Sequence, residues 1–206
     1  MSQDTPAGGG CGCIRAARDD RGDGGSGFDR RRVIRIAAAT GAALALGPLA
    51  PSAAHARPKA GDLLVADDAE GMPVAIKAAD LVLGKPMLAF PFDPATQQIR
   101  NDSRLNKVVL VKVAEGDLDA ETRERAAGGV LGFSAICTHQ ACDVKTWAAA
   151  DKALVCFCHS SKFKPLEGGR VSDGPAPRAL PMLPLKLQDG RLAVAAAFLT
   201  PPGAAA

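Results

Sequence analysis

The side chains with the most distinctive chemistry lie in two short boxes, Cys137-Thr138-His139-Gln140-Ala141-Cys142 and Cys156-Phe157-Cys158-His159-Ser160-Ser161. Thiolate sulfur and imidazole nitrogen favour zinc and iron over the hard cations magnesium and calcium. The chain has six cysteines and three histidines, and beyond residue 56 every one of them falls in a box. One centre therefore consumes the whole supply. Two cysteines and two histidines could close a tetrahedral zinc site, but C-x-H and C-x-x-H spacings with an extra cysteine in each box fit that poorly. An iron–sulfur centre with mixed ligands fits better. No nucleophile with a base stands out, no glycine-rich phosphate loop is present, and no histidine is left for a second, mononuclear iron site.

Loops must carry these boxes, and paired strands must hold the loops still. From Asp62 onward short apolar runs alternate with turn residues, which predicts an all-β domain. Strands are expected at Leu63 to Ala66, Pro73 to Ile76, Met87 to Phe90, Val108 to Val113, Val130 to Ala135, Ala153 to Val155 and Leu192 to Ala197. Asn106-Lys107 and Asp189-Gly190 read as turns. Leu118 to Ala127, with Glu and Arg at helical spacing, reads as a short surface helix or an excursion between strands. There is no internal repeat and no heptad pattern.

The boxes resemble those of the Rieske iron–sulfur family, specifically from Cys137 to about Pro177 and more weakly to Phe198. The resemblance implies an antiparallel β-sandwich with a small cluster-binding subdomain, about residues 135–178, inserted toward the C-terminal half. It implies one [2Fe–2S] cluster per chain, with Cys137 and Cys156 on one iron and His139 and His159 on the other. Cys142 and Cys158 match a pair that forms a disulfide between the two loops in high-potential members of the family, a pair that its ferredoxins and oxygenases usually lack. Ser161 matches a serine whose hydroxyl points at a bridging sulfide. Phe163 stands where respiratory members commonly have tyrosine, and this chain contains no tyrosine. Gly174, Pro175 and Pro177 resemble a stiff loop that covers the cluster. Ala141 departs from the usual glycine, although alanine tolerates positive φ badly. Trp147 reads as packing, and Lys162 with Lys164 as solvated charge.

The formal charge is +3, of which +2 falls in residues 1–56, so the rest of the chain is nearly neutral. That gives no electrostatic reason to expect nucleic acid as a partner. Residues 1–28 are polar and rich in glycine, and are expected to lack structure. Cys11 and Cys13 there read as unstructured thiols. Arg30 and Arg31, followed by Val33 and Ile34, resemble a twin-arginine export signal. An Ala/Leu stretch and Ala54-His55-Ala56 complete a signal with a small-x-small cleavage site. The expected division is a signal over 1–56 and the iron–sulfur domain over 57–206, delivered to the periplasm, with membrane contact only if the signal is retained as an anchor. The resemblance then implies a single-electron carrier, not a catalyst acting alone. Its partners would be a large redox subunit and a cytochrome c or cupredoxin acceptor. The run from Ser161 to Gly169 is most similar to small subunits of arsenite-oxidase-type molybdopterin enzymes. The disulfide pair and the Gly174 to Pro177 loop agree equally with the Rieske subunit of a cytochrome bc complex.

Overall fold

Two antiparallel sheets share one apolar core in the computed structural model, which describes residues 57–68 and 71–204. The expectations for the leader, Cys11 and Cys13 included, lie outside the described residues. The strands are β1 (Leu63–Ala66), β2 (Met87–Asp93), β3 (Gln98–Ile99), β4 (Val108–Lys112), β5 (Val130–Ser134), β6 (Thr146–Ala148), β7 (Ala153–Cys156), β8 (Ser161–Lys164), β9 (Arg170–Asp173), β10 (Met182–Leu183), β11 (Leu185–Gln188) and β12 (Arg191–Val194). The larger sheet runs β10-β5-β4-β2-β1-β12-β11, with β3 added on β2, and the smaller runs β6-β7-β8-β9. The smaller sheet is thus an insertion between β5 and β10. Among the described residues no helix is long and apolar enough to cross a membrane.

The larger sheet nearly closes on itself because Pro184 divides one run of chain into two strands with different partners. Proline has no N–H to give a ladder. Before it, Met182 and Leu183 pair with Phe133 and Gly132; after it, Leu185 to Gln188 pair with β12. The Pro184 carbonyl still accepts from the Ala195 amide at 2.8 Å. Gly132 lies where the walls approach, since a Cβ there would stand 3.2 Å from the Leu183 carbonyl.

Successive side chains of a strand point to opposite faces. In β4, Val108 and Leu110 join a core with Leu64, Leu183, Leu192 and Val194, whereas Val109 and Val111 join one with Phe133, Leu154, Phe163 and Met182. The second core is the face that the inserted sheet covers. Burial on both faces explains why Val108 to Val111 is continuously apolar instead of alternating.

Of the predicted strands, Pro73 to Ile76 forms only isolated contacts: a bridge from Ala75 to Val65, and Ile76 hydrogen bonds to Leu64 and Leu192. Pro73 cannot donate to a ladder, and Val74 is exposed. Over Leu118 to Ala127 the helix, α1, is only Ala120–Arg123, capped by the Asp119 carboxylate accepting from the Thr122 amide at 2.7 Å. Gly128 and Gly129, both at positive φ, turn the chain into β5. The predicted turn at Asn106-Lys107 is preceded by a single 3₁₀ turn over Arg104–Asn106, and Asp189-Gly190 is a two-residue hairpin turn with both φ positive.

A buried ionic cluster ties the start of the domain to the β2–β3 hairpin. Arg100, 8% exposed, donates two hydrogen bonds to Asp62 at 2.7 and 3.0 Å and one to Asp93 at 2.8 Å. Asp62 raises the Arg100 pKa above its ordinary value, and the Ala95 amide is the main reason the Asp93 carboxyl lies below its own. Removing one member strands buried charge, so Arg100→Ala should lower stability by about 3 kcal/mol in urea unfolding. A loss under about 1 kcal/mol would mean the cluster is effectively solvated.

Candidate metal centre

Both boxes are tips of tight hairpins. In the first, backbone hydrogen bonds run from Cys137 to the Cys142 carbonyl (2.8 Å) and from Val144 to the Ala135 carbonyl (2.7 Å), with Ile136 facing Asp143 between them. Four residues, 138 to 141, form the tip. The second box continues the β7–β8 ladder, in which Cys156 faces Ser161, and residues 157 to 160 form its tip. In each tip the last residue is left-handed, Ala141 at φ +56 and Ser160 at φ +57. The glycine-like geometry doubted at Ala141 is therefore adopted by alanine itself. Each hairpin presents one cysteine at its last paired position, Cys137 or Cys156, and one histidine from its tip.

The structure brings all six of these cysteine and histidine side chains to one place. Cys142 and Cys158 are bonded to each other, with Cα atoms 6.5 Å apart, so the two tips are clasped face to face. The His139 and His159 rings meet edge to face with centroids 4.6 Å apart. Cys137 and Cys156 are free thiols, each 1% exposed, and share one core cluster. Burial pushes the Cys156 thiol pKa up; amides of Cys158 and His159 aimed at its sulfur oppose this. Those amides would equally stabilise a metal-bound thiolate. The Cys142, Cys156 and Cys158 sulfurs also lie within 4.8 Å of one another, but two of them are spent in the disulfide, so this trio is not a ligand set.

Two buried polar atoms of this site lack the partner that buried polar groups ordinarily have. They are Nδ1 of His139 and Oγ of Ser161. The nitrogen suits a metal bond, and the hydroxyl can donate to an acceptor on the ligated group. With two buried thiols and a second imidazole beside them, this donor set fits a cluster held by two cysteines and two histidines. The thiols are internal, His139 is half-buried and His159 is exposed. Any centre they hold is shielded on the sulfur side and open on the imidazole side.

The surrounding residues pack closely. Phe163 is fully buried in the same core cluster as Cys137 and Cys156, paired across β8 with Leu154 and Val171. Gly174, at φ +83, lies on the second box, where a Cβ would stand 2.5 Å from the Ser161 Cα. Ala176 is buried in that core, while Pro175 and Pro177 face outward. Trp147 packs its indole on Gly84, where a Cβ would meet Nε1 at 3.0 Å. Lys162 is not free solvated charge. It pairs with Asp151 at 2.7 Å and lies 3.8 Å from Asp173; the Asp151 hydrogen bond raises its pKa and lowers that of Asp151, while Lys164 donates to the Asp151 carbonyl. Sequence reasoning missed two participants. Thr138, wholly buried, donates from its hydroxyl to the Arg178 carbonyl at 2.8 Å, joining the first tip to the covering loop.

The donor set suits an iron–sulfur centre of mixed cysteine and histidine ligation. Residues 95–184 match the model of the Rieske [2Fe–2S] domain, so this part of the chain is a Rieske domain, whose cofactor is the [2Fe–2S] cluster. It is 35% identical over 106 residues to a cytochrome bc1 complex Rieske iron–sulfur subunit of Corynebacterium diphtheriae, an alignment covering 48% of this chain and 26% of that protein. It is 35% identical over 138 residues to a Haloferax mediterranei protein named for a Rieske subunit of respiratory nitrate reductase, covering 66% of this chain and 58% of that one. Among solved structures, a cyanobacterial plasma membrane Rieske protein from Synechocystis aligns at TM-score 0.40 and 24% identity over 59% of this chain and 97% of the other. The chain spans about a quarter of the length of the first relatives it matches.

The disulfide closes a loop with a sequence separation of 16 residues, a constraint of about 3 kcal/mol in the chain-entropy model. The paired Cys142→Ser, Cys158→Ser variant should lose about that much in denaturant unfolding. Stability equal to the parent protein under oxidising conditions would show that the clasp contributes nothing.

Proposed function

We propose that Cys137 and Cys156 hold one iron, and His139 and His159 the other, of a single [2Fe–2S] cluster, and that the chain carries one electron at a time as a subunit of a larger oxidoreductase. The unpartnered, buried His139 Nδ1, on the hairpin tip that follows one of two buried free thiols, carries the assignment. The cluster supplies the redox change; the chain shields its sulfur side and leaves the imidazole side as the path for electrons. Ser161 donates to the cluster. Phe163 cannot, having no hydroxyl, so the potential should lie below that of a relative with tyrosine there.

For the partner we favour a large molybdopterin subunit of the arsenite-oxidase type, with a cytochrome c or cupredoxin as acceptor. The run from Ser161 to Gly169 and the absence of a phenol at Phe163 support this. The Rieske subunit of a quinol-cytochrome c reductase is the second reading, supported by the names of most of the relatives and by exposed His159, the imidazole a quinol would reach. The first reading expects co-purification with a molybdopterin protein; the second expects a quinol-site inhibitor to alter the cluster's spectrum.

The twin-arginine signal implies export of the folded, loaded protein to the periplasm, with cleavage after Ala56 and the whole of 57–206 as the mature domain. Mass spectrometry of the exported chain should find Arg57 first; an intact leader on exported protein would instead make the signal an anchor.

The central test is paramagnetic resonance of the reduced protein. The expected result is the signal of a histidine-ligated [2Fe–2S] cluster, with iron and acid-labile sulfide in equal amounts. Zinc without iron or sulfide would overturn the assignment. In the same redox titration Phe163→Tyr should raise the midpoint potential, and an unchanged potential would remove Phe163 as a determinant.

A further inference from the structure

The covering loop is pinned at its start by Gly174 on Ser161 and in its middle by Ala176 in the core. Its far end is held differently. The Arg178 carbonyl takes the buried Thr138 hydroxyl at 2.8 Å, and one guanidinium nitrogen of Arg178 donates to the Pro201 carbonyl at 2.9 Å and the Gly203 carbonyl at 2.8 Å. The C-terminal segment offering those carbonyls is itself fastened. Ala195 donates to Pro184, Leu199 donates to Met182 at 3.0 Å, and Gly203 sits where a Cβ would lie 3.3 Å from Leu105. The other terminal nitrogen of Arg178, Nη1, is buried without a partner. Leaving a charged donor unbonded is costly, so a merely adhesive contact would be better made by an apolar side chain.

We infer that Arg178 and the C-terminal strap over residues 199–203 are a positioning element of the metal centre. Arg178 links the strap to Thr138, which stands between Cys137 and His139, and brings a fixed positive charge to the loop over the site. The link to the centre rests on the ligand set proposed above. Two consequences follow. Tension or slack in the strap reaches Thr138 in the first tip through Arg178, and the guanidinium favours the reduced, more negative form of the centre.

The test uses the mature protein, loaded and metal-free, with Arg178→Ala, Arg178→Lys, a chain ended after Thr200 and the two changes combined. Leu192→Ala, in the other core cluster, controls for general destabilisation. Amide exchange reads the Cys137 and Ala141 N–H groups, both bonded within the first tip. Arg178→Ala and the shortened chain should each speed that exchange about tenfold, and the combination no more than either alone. In the loaded protein Arg178→Ala should lower the midpoint potential, Arg178→Lys should restore most of it, and Leu192→Ala should move neither readout. Unchanged exchange in Arg178→Ala, or additive effects of the two changes, would overturn the link. Equal potentials in the parent and Arg178→Ala would overturn the electrostatic role. If the shortened chain does not fold, the comparison of Arg178→Ala with Arg178→Lys still decides. Failure of the cluster assignment would appear separately, as a missing paramagnetic signal while exchange in the metal-free protein still responds.

Discussion

The bond between Cys142 and Cys158 is the constraint on which the site depends, because it fixes two hairpin tips that no strand pairing joins. The first tip leaves the larger sheet after β5, and the second belongs to the smaller sheet between β7 and β8. Neither hairpin offers more than one thiol and one imidazole to a centre. With the tips clasped, Cys137 and Cys156 share a core, and His139 and His159 meet ring to ring. The clasp uses different positions in the two tips: the closing pair in the first, and the middle of the tip in the second. That offset explains why one histidine follows its cysteine by two residues and the other by three.

The core around the site accounts for the division between an insulated and an accessible side. Val109, Val111, Phe133 and Met182 from the larger sheet meet Leu154 and Phe163 from the smaller, and the two thiols are embedded among them. The imidazoles project past that core. A low-dielectric surrounding makes hydrogen bonds to a buried thiolate stronger than they would be in water. The amides of Cys158 and His159 at the Cys156 sulfur, and the idle hydroxyl of Ser161, therefore act where their influence on a charged centre is greatest.

What could be read in the sequence follows how local the cause is. The β1 boundaries were legible because Leu63 to Ala66 is a short apolar run set off by Asp62 and Asp67. The [2Fe–2S] family was legible because the two boxes carry its residue types and spacing, and the disulfide followed from that resemblance. Strands β8 and β9 were not. Ser161-Lys162-Phe163-Lys164 alternates over only four residues, and Arg170-Val171-Ser172-Asp173 lies largely exposed, so each acquires its strand character from its neighbours in the sheet. The division at Pro184 was hidden for a similar reason: the proline marks a break, but not that each half finds a different partner. Thr138 and Arg178 lie 40 residues apart, and nothing local in either suggests the other.

Left-handed backbone at Ala141 and Ser160 completes the account of the tips. Each non-glycine residue in that conformation costs roughly 1–2 kcal/mol, so the pair together carries about 2–4 kcal/mol of strain. The clasp returns about 3 kcal/mol by restricting the unfolded chain. The two are comparable, which means the tips would be close to neutral without any ligand. Glycine at either position would relieve strain in the folded tip but widen the conformations open to the unfolded one, an opposing effect of about 0.4–1 kcal/mol. Strain relief is the larger of the two, so alanine and serine hold these conformations at a net cost relative to glycine, which the clasp offsets.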